Sequence, residues 1–329
     1  MTKRILLVGG AGYIGSHVAL AIKEAGWQPV IMDDFSTSDR LASTQEDEFI
    51  EGSFLDLALL QSTLKKDISA VIHLADLKSV PRSMSYPQEY AQANICGTIQ
   101  LLNQILAHNI KYFIFSSSAT VYGNPQYLPL DEQHPTEPIN FYGFSKLKIE
   151  ELLGWYSELN KIKYTSLRYF NVVGYDKAMR CLGVEKNSSN IFPLLMETIF
   201  NIRHKFLVYG DNYNTKDGSC LRDYIHVSDI ANAHVLALSH LMKPASQSFI
   251  CNLGSGYSIS VFEILAELKK IAKTNFKVEI VKARMGDPAH LCASYQKANN
   301  LFGWKPKNSD LPNIIRTSLN VYQKYYQSK

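Results

Sequence analysis

No run of the sequence approaches the ~18 continuous apolar residues that a membrane-spanning helix requires, so no such helix is expected. Cysteine is scarce: Cys96, Cys181, Cys220, Cys251 and Cys292 stand apart, with no Cys-x-x-Cys pair. An odd, unpatterned set fits reduced thiols in a cytoplasm, not a disulfide framework or a zinc site. The nine histidines also lack ligand spacing, so no metal centre is expected. Charge is nearly balanced, with 34 Lys and Arg against 30 Asp and Glu and a net charge of +4. No basic run or aromatic-interleaved patch marks a nucleic-acid binder. Repeats and low-complexity tracts are absent.

What is present describes a globular chain. Hydrophobic residues make up 46% and charged residues 19% of its 329 residues. Single cores stop growing at roughly 250–300 residues, so two lobes are expected. The first apolar run stops at Gly9-Gly10 and reads as a strand, not a signal peptide. Buried strands are predicted at 4–8, 29–32, 70–74, 112–115 and 165–169, with helices at 14–25, 90–106 and 145–156. That alternation predicts an α/β fold with a doubly wound parallel (Rossmann) sheet. After Asn171 the rhythm breaks. Strands at 224–227 and 249–253 and a helix at 261–271 indicate a second, smaller α/β lobe woven with returning sheet elements.

Directly after the first strand comes Gly9-Gly10-Ala11-Gly12-Tyr13-Ile14-Gly15. A tight glycine turn brings backbone N–H groups against a pyrophosphate at a helix N-terminus. The next strand ends at Asp33, placed to accept from adenosine ribose hydroxyls and to repel a 2′-phosphate. This combination predicts NAD over NADP. Asp34 reads as a plain turn residue. The expected division is residues 1–174 as the NAD-binding domain, with returning elements near 223–251, and 175–329 as a substrate lobe.

Tyr142-Gly-Phe-Ser-Lys146 places a phenol and an ammonium on one helix face. A lysine there favours the phenolate and is expected to lower the phenol pKa from its reference near 10. A phenolate can take a proton from an alcohol as hydride leaves the same carbon. Tyr-x-x-x-Lys alone is common on amphipathic helices, but Ser116-Ser117-Ser118 ends the fourth strand of the alternation. Ligands in open α/β sheets sit at such carboxyl ends. Ser118 is expected to bond the substrate oxygen; Ser116 and Ser117 are equally readable as loop or cap residues.

The segments GGAGYIGSH, FIFSSSATVYG, YGFSK, LRYFN, DGSCLRDYIHVSD, NLGSGYS and ARMGDPA occur in order along nearly the whole chain. In these the sequence resembles the extended short-chain dehydrogenase/reductase superfamily, and within it the UDP-glucose (UDP-galactose) 4-epimerase family of galactose metabolism. The resemblance implies Tyr142 as catalytic acid/base, assisted by Ser118 and Lys146. It implies that NAD is lined by Gly9, Gly12, Tyr13, Ile14, Gly15, Asp33, Asp34, Phe35, Ser36, Thr37, Ser38, Ser53, Phe54, Leu74, Ala75, Lys78, Asn94, Ser116, Tyr142, Lys146 and Phe170. It implies a UDP-sugar held by Asn171, Asn190, Ile191, Leu207, Val208, Tyr209, Arg222, Arg284 and Asp287. Leu291 falls at the position that gates an N-acetyl group, and a homodimer through helices 90–106 and 145–156 is expected.

Four departures stand out. Glu51-Gly52-Ser53-Phe54 lacks the family's acid after the glycine, so the polar contact to the adenine is either weaker or made by the Ser53 hydroxyl. Ala75-Asp76-Leu77-Lys78 carries Asp76 where the family has glycine; it either pairs with Lys78 or points outward. Pro81-Arg82 and Val172 also depart from the pattern. Sugar-nucleotide dehydratases carry an Asp-Glu pair after the loop threonine, whereas Thr120 precedes Val121-Tyr122. A non-enzymatic NAD-sensing regulator would not need both Tyr142 and Lys146, and both remain.

Overall fold

A computed structural model describes residues 2–38, 48–185, 188–284 and 288–327. The strands are β1 Arg4–Val8, β2 Gln28–Asp33, β3 Glu48–Glu51, β4 Ile68–His73, β5 Tyr112–Ser118, β6 Lys163–Tyr169, β7 Asn171–Val173, β8 Phe206–Tyr209, β9 Leu221–His226, β10 Phe249–Leu253, β11 Ser258–Ser260 and β12 Val278–Val281. Seven form one parallel sheet in the order β10-β6-β5-β4-β1-β2-β3. Because successive side chains point to opposite faces, each strand feeds two cores. Ile5, Leu7, Ile31 and Ile114 pack with the helices Tyr13–Glu24 and Val227–Leu241. Leu6, Val8, Val30, Phe113 and Phe115 pack with Gly97–Ala107 and Phe141–Glu158. A parallel sheet covered on both faces needs continuous apolar strands, and the doubly wound fold expected from the alternation follows.

Two helices differ from the periodic reading. Residues 90–106 are not one α-helix: Ala91–Cys96 is π-helical and leads into Gly97–Ala107. A local change of helical pitch does not register in a 3.6-residue pattern. The helix read from residue 145 begins at Phe141, where the Asn140 side chain accepts from the Gly143 N–H at 2.8 Å. Tyr142 therefore stands in the first helical turn.

Of the elements after residue 174, β10 joins the large sheet beside β6 and the helix Val227–Leu241 packs beneath it. β9 instead pairs with β7 and β11 in a three-stranded sheet, and β8 pairs with β12. Phe192, Leu195, Tyr224, Leu265, Ile315 and Tyr322 build the core of this second lobe. Among the described residues no helix is long and apolar enough to cross a membrane.

A buried polar network links the large sheet to the loop after β5. Arg168 donates to Glu150 through Nε at 3.0 Å and Nη2 at 2.5 Å, and through Nη1 to the Tyr122 hydroxyl at 2.9 Å. Tyr122 in turn donates to Asn252 Oδ1 at 2.7 Å. A buried ion pair persists when its remaining donors are satisfied, and here the helix Phe141–Glu158, the turn after β5 and strand β10 supply the acceptors.

Four buried histidines make stability depend on pH. Burial lowers His17, His226 and His234 from 6.5 to about 4, and His73 to about 3. The unfolded chain takes up these protons near its ordinary value, the folded chain only well below it. Stability is therefore full above the unfolded pKa and is lost as pH falls from there, by about 2 kcal/mol per histidine at about pH 5. The urea midpoint should fall clearly between about pH 7.5 and about pH 5; an unchanged midpoint would show that these rings are protonated in the fold.

Candidate active site

The sheet order reverses between β1 and β4, because the chain leaves β1 toward β2 and β3 and returns to β4 on the other side. Such a switch point opens a crevice at the strand carboxyl ends. Here it is tight: the Leu74 and Ala75 N–H groups both donate to the Val8 carbonyl, at 2.8 and 2.9 Å. Gly9, at φ +80°, faces this contact, and a Cβ on it would lie 2.6 Å from the Ala75 nitrogen. A Cβ on Gly15 would come within 2.4 Å of the Gly9 carbonyl oxygen. Gly12 then caps the helix Tyr13–Glu24 with no side-chain hydrogen bond, so its first-turn N–H groups open on the cleft.

At the end of β2, Asp33 accepts from Ala11 N–H (2.9 Å), Phe35 N–H (2.9 Å) and the Ser38 hydroxyl (3.0 Å). A carboxylate has about four lone-pair sites, so acceptor capacity remains for ribose hydroxyls. The side-chain-free cradle and this fixed acid fit a dinucleotide lacking a 2′-phosphate.

The resulting cleft of about 450 Å³ gathers Gly9, Gly12, Tyr13, Ile14, Gly15, Asp33, Asp34, Ser36, Thr37, Ser38, Ser53, Phe54, Leu74, Ala75, Lys78, Asn94, Ser116 and Tyr142, with Asn190 from the second lobe. Asp34 makes a local turn, accepting from the Ser36 N–H and hydroxyl at 3.0 and 2.6 Å. Asn94 holds the loop after β4 by bonding both the N–H and the carbonyl of Leu77, at 2.9 and 3.1 Å. Phe35 does not line the cleft; its ring packs near Phe49, 6.2 Å between centroids, on the sheet core. Phe170 is buried with Val121, Tyr122, Leu130 and Ala293, and Leu291 packs against that cluster.

Tyr142, Ser118 and Lys146 converge at one end of the cleft. Lys146 Nζ donates to the Ser116 carbonyl at 2.6 Å and lies 5.6 Å from the Tyr142 ring centroid. The Ser118 hydroxyl accepts from Thr120 Oγ1 at 3.0 Å and acts on the Tyr142 phenol to lower its pKa. Asp76 neither pairs with Lys78 nor points outward. Its Oδ2 lies 2.6 Å from Lys146 Nζ and 3.3 Å from the Tyr142 hydroxyl, which donates to it. This reverses the expected phenol shift: burial first, then the Asp76 charge, push Tyr142 well above its ordinary 10, against the Ser118 hydrogen bond.

Lys78 pairs with Glu185 of the second lobe. Burial alone would raise the Glu185 pKa, but Lys78, Asn190 and Ser188 outweigh it and hold the carboxyl below its ordinary value. Asn190 precedes Ile191 at the start of the helix Ile191–Ile199 and donates to Glu185 Oε2 at 3.1 Å. The other residues read as substrate-binding lie apart from the cleft lining. Asn171 opens β7, and Leu207, Val208 and Tyr209 lie in β8. The Arg284 guanidinium stacks 3.9 Å from the Tyr209 ring centroid. Arg222 lies in β9, and the Leu291 N–H donates to the neighbouring Leu221 carbonyl at 3.0 Å. Asp287 lies outside the described residues.

Sequence reasoning missed Glu185 and the true partners of Asp76. The signal for Asp76 was its charge at a glycine position. Its partners stand far along the chain, and only the sheet brings them together.

The pattern of the NAD dependent epimerase/dehydratase family matches residues 5–254. The chain is 38% identical to the UDP-glucose 4-epimerase of Halalkalibacterium halodurans over 322 residues, 98% of this chain and 96% of that one. It resembles the crystal structure of UDP-glucose 4-epimerase from Brucella ovis in complex with NAD, with a TM-score of 0.94 and 38% identity over 98% of each chain. The Bifidobacterium longum UDP-glucose 4-epimerase, in complex with NAD+ and UDP, gives a TM-score of 0.93 at 33% identity, over 99% of this chain and 100% of that one. A family match running from the first strand through the helix Phe141–Glu158 to β10, on a cleft already shaped for a dinucleotide, makes this chain a member of the NAD dependent epimerase/dehydratase family.

Proposed function

We propose that the protein is an isomerase that inverts C4 of a UDP-hexose, interconverting UDP-glucose and UDP-galactose with NAD as its cofactor. The observation that carries this reading is the contact of Tyr142 with Asp76, and of Asp76 with Lys146, at the end of a dinucleotide cleft. The relatives, UDP-glucose 4-epimerases along nearly their whole length, support it.

The glycine cradle and Asp33 would hold NAD, which would supply hydride acceptance and return with no net redox change. The chain's own groups manage the proton. The sugar O4 gives its proton to Tyr142 Oη while the phenol's own proton passes to Asp76 Oδ2, 3.3 Å away. Both transfers reverse when the 4-keto sugar is reduced from its other face. Ser118 bonds the substrate oxygen and holds the phenol in line. Lys146, anchored to the Ser116 carbonyl, fixes the position of Asp76.

We assign residues 1–174 to the cofactor and 175–329 to the UDP-sugar. Asn171, Asn190, Arg222 and Arg284 hold the nucleotide, where guanidinium groups suit diphosphate oxygens. Tyr209 presents its face to Arg284 and orients that plane. Grip on the remote UDP retains the keto sugar while the sugar turns over. The five cysteines are free thiols, which supports a cytoplasmic setting. Phe144, Trp155 and Leu159 are exposed on or beside the helix Phe141–Glu158, at 38%, 65% and 62%. A second copy of the chain covers them in a homodimer.

A coupled assay of UDP-galactose conversion should fall on the order of a thousandfold or more in Tyr142→Phe, with nucleotide still released on denaturation; an unchanged rate removes Tyr142 from the mechanism. Leu291→Tyr should lower turnover of UDP-N-acetylglucosamine more than that of UDP-glucose, and an equal ratio in both proteins would show that Leu291 is not the gate. Sedimentation should give a dimer for the wild type and a monomer for Trp155→Glu; a monomeric wild type ends the dimer assignment.

A further inference from the structure

The catalytic corner holds one carboxylate more than the motif around it calls for. Asp76 follows Ala75 off the carboxyl end of β4, at the position where the resembling family carries glycine. It is not a surface charge. Its Oδ2 lies 2.6 Å from Lys146 Nζ, and that lysine is 1% exposed. The ammonium's other neighbours are the Ser116 carbonyl at 2.6 Å and the Phe115 ring centroid at 4.7 Å, and neither bears a net charge.

Other ionisable groups around the cleft leave this balance intact. His73, at the end of β4, is kept neutral by burial first and by Lys146 second, its pKa lowered to about 3. Lys78 is engaged by Glu185. Asp33, at the end of β2, is held by Ala11, Phe35 and Ser38. Tyr142 Oη donates to Asp76 as a neutral hydroxyl. The charge at the Tyr142 end is therefore that of Lys146 and Asp76 together, which is zero, where glycine at this position would leave +1.

We propose that Asp76 is a specificity-determining counter-ion that cancels Lys146 and so biases the cleft toward the oxidised, cationic nicotinamide over the reduced, neutral one. The inference rests on the epimerase reading only for which cofactor is bound and for the reacting ring lying at the Tyr142 end. The physical reason is elementary. An uncompensated ammonium repels a cationic ring and is indifferent to a neutral one. In a partly desolvated cleft, with an effective dielectric of ~20, one unit charge several ångströms away changes such a balance by roughly tenfold or more. An enzyme whose cofactor must begin each cycle oxidised gains from that bias, since reduced nucleotide acquired from solution would leave it idle.

The test compares wild type, Asp76→Asn and Asp76→Gly. Asparagine keeps the size and loses the charge; glycine removes the side chain and covers the case in which the asparagine variant folds poorly. Each purified protein is equilibrated with excess NAD and NADH in equal amounts and freed of unbound nucleotide. It is then denatured, and both released forms are quantified. The ratio of bound NAD to bound NADH should fall roughly tenfold in both variants. A ratio unchanged within about twofold in both variants overturns the proposal and leaves Asp76 a structural partner of Lys146. A shifted ratio in the variants beside a wild type that fails to convert UDP-galactose supports the counter-ion and sinks the epimerase reading. A wild type that takes up neither nucleotide sinks the cofactor assignment and this inference with it.

Discussion

The Val8 carbonyl accepts two N–H groups from the loop leaving β4, and much of the molecule is arranged around that contact. It can form only because β1 and β4 are neighbours at the point where the sheet order reverses. The loop then presses so close to Gly9 that no side chain fits there. A backbone without side chains at the start of a helix is what a pyrophosphate can approach. The same loop, one residue further on, delivers Asp76 to the helix Phe141–Glu158. The glycine cradle and the cluster of Asp76, Tyr142 and Lys146 are two consequences of a single close approach between strand ends.

Charge in this cleft is handled by pairing. Lys146 is engaged by Asp76, and Lys78 by Glu185 across the two lobes. Beneath the site, Arg168 is engaged by Glu150. Each pair offsets the desolvation of a buried ion with a short contact and extra donors or acceptors. The consequence differs with position. Glu150 and Arg168 knit the helix Phe141–Glu158 to β6 and rigidify the platform on which Tyr142 stands. Asp76 changes the chemistry itself, because its carboxylate raises the phenol that the lysine by itself would acidify.

The second lobe supplies the counterpart of the cofactor cleft by different means. Its strands are short, and its cationic groups come from separate elements: Arg222 from β9 and Arg284 from the segment after β12. Asn190 reaches the dinucleotide cleft from the start of a helix.

The positions of β1, β2, β4, β5, β6 and β10, the alternation that builds the parallel sheet, the glycine cradle and Asp33 were legible in the sequence, because each depends on neighbours close along the chain; the short strands β3, β7, β8, β11 and β12 were not. The Tyr142–Lys146 pair was legible for the same reason: one helical turn is a local spacing. Other features depend on parts of the chain that meet only in the fold. The π-helical stretch Ala91–Cys96 leaves no periodic trace. Phe35 reads as a cofactor contact but turns to the sheet core, and β9 reads as a returning strand but pairs elsewhere. Asp76 is the clearest case. Composition and motif marked it as anomalous, yet its partners lie 66 and 70 residues along the chain and reach it only because β4 and β5 are adjacent. Local spacing decided which groups were available, and strand adjacency decided which charge each of them would meet.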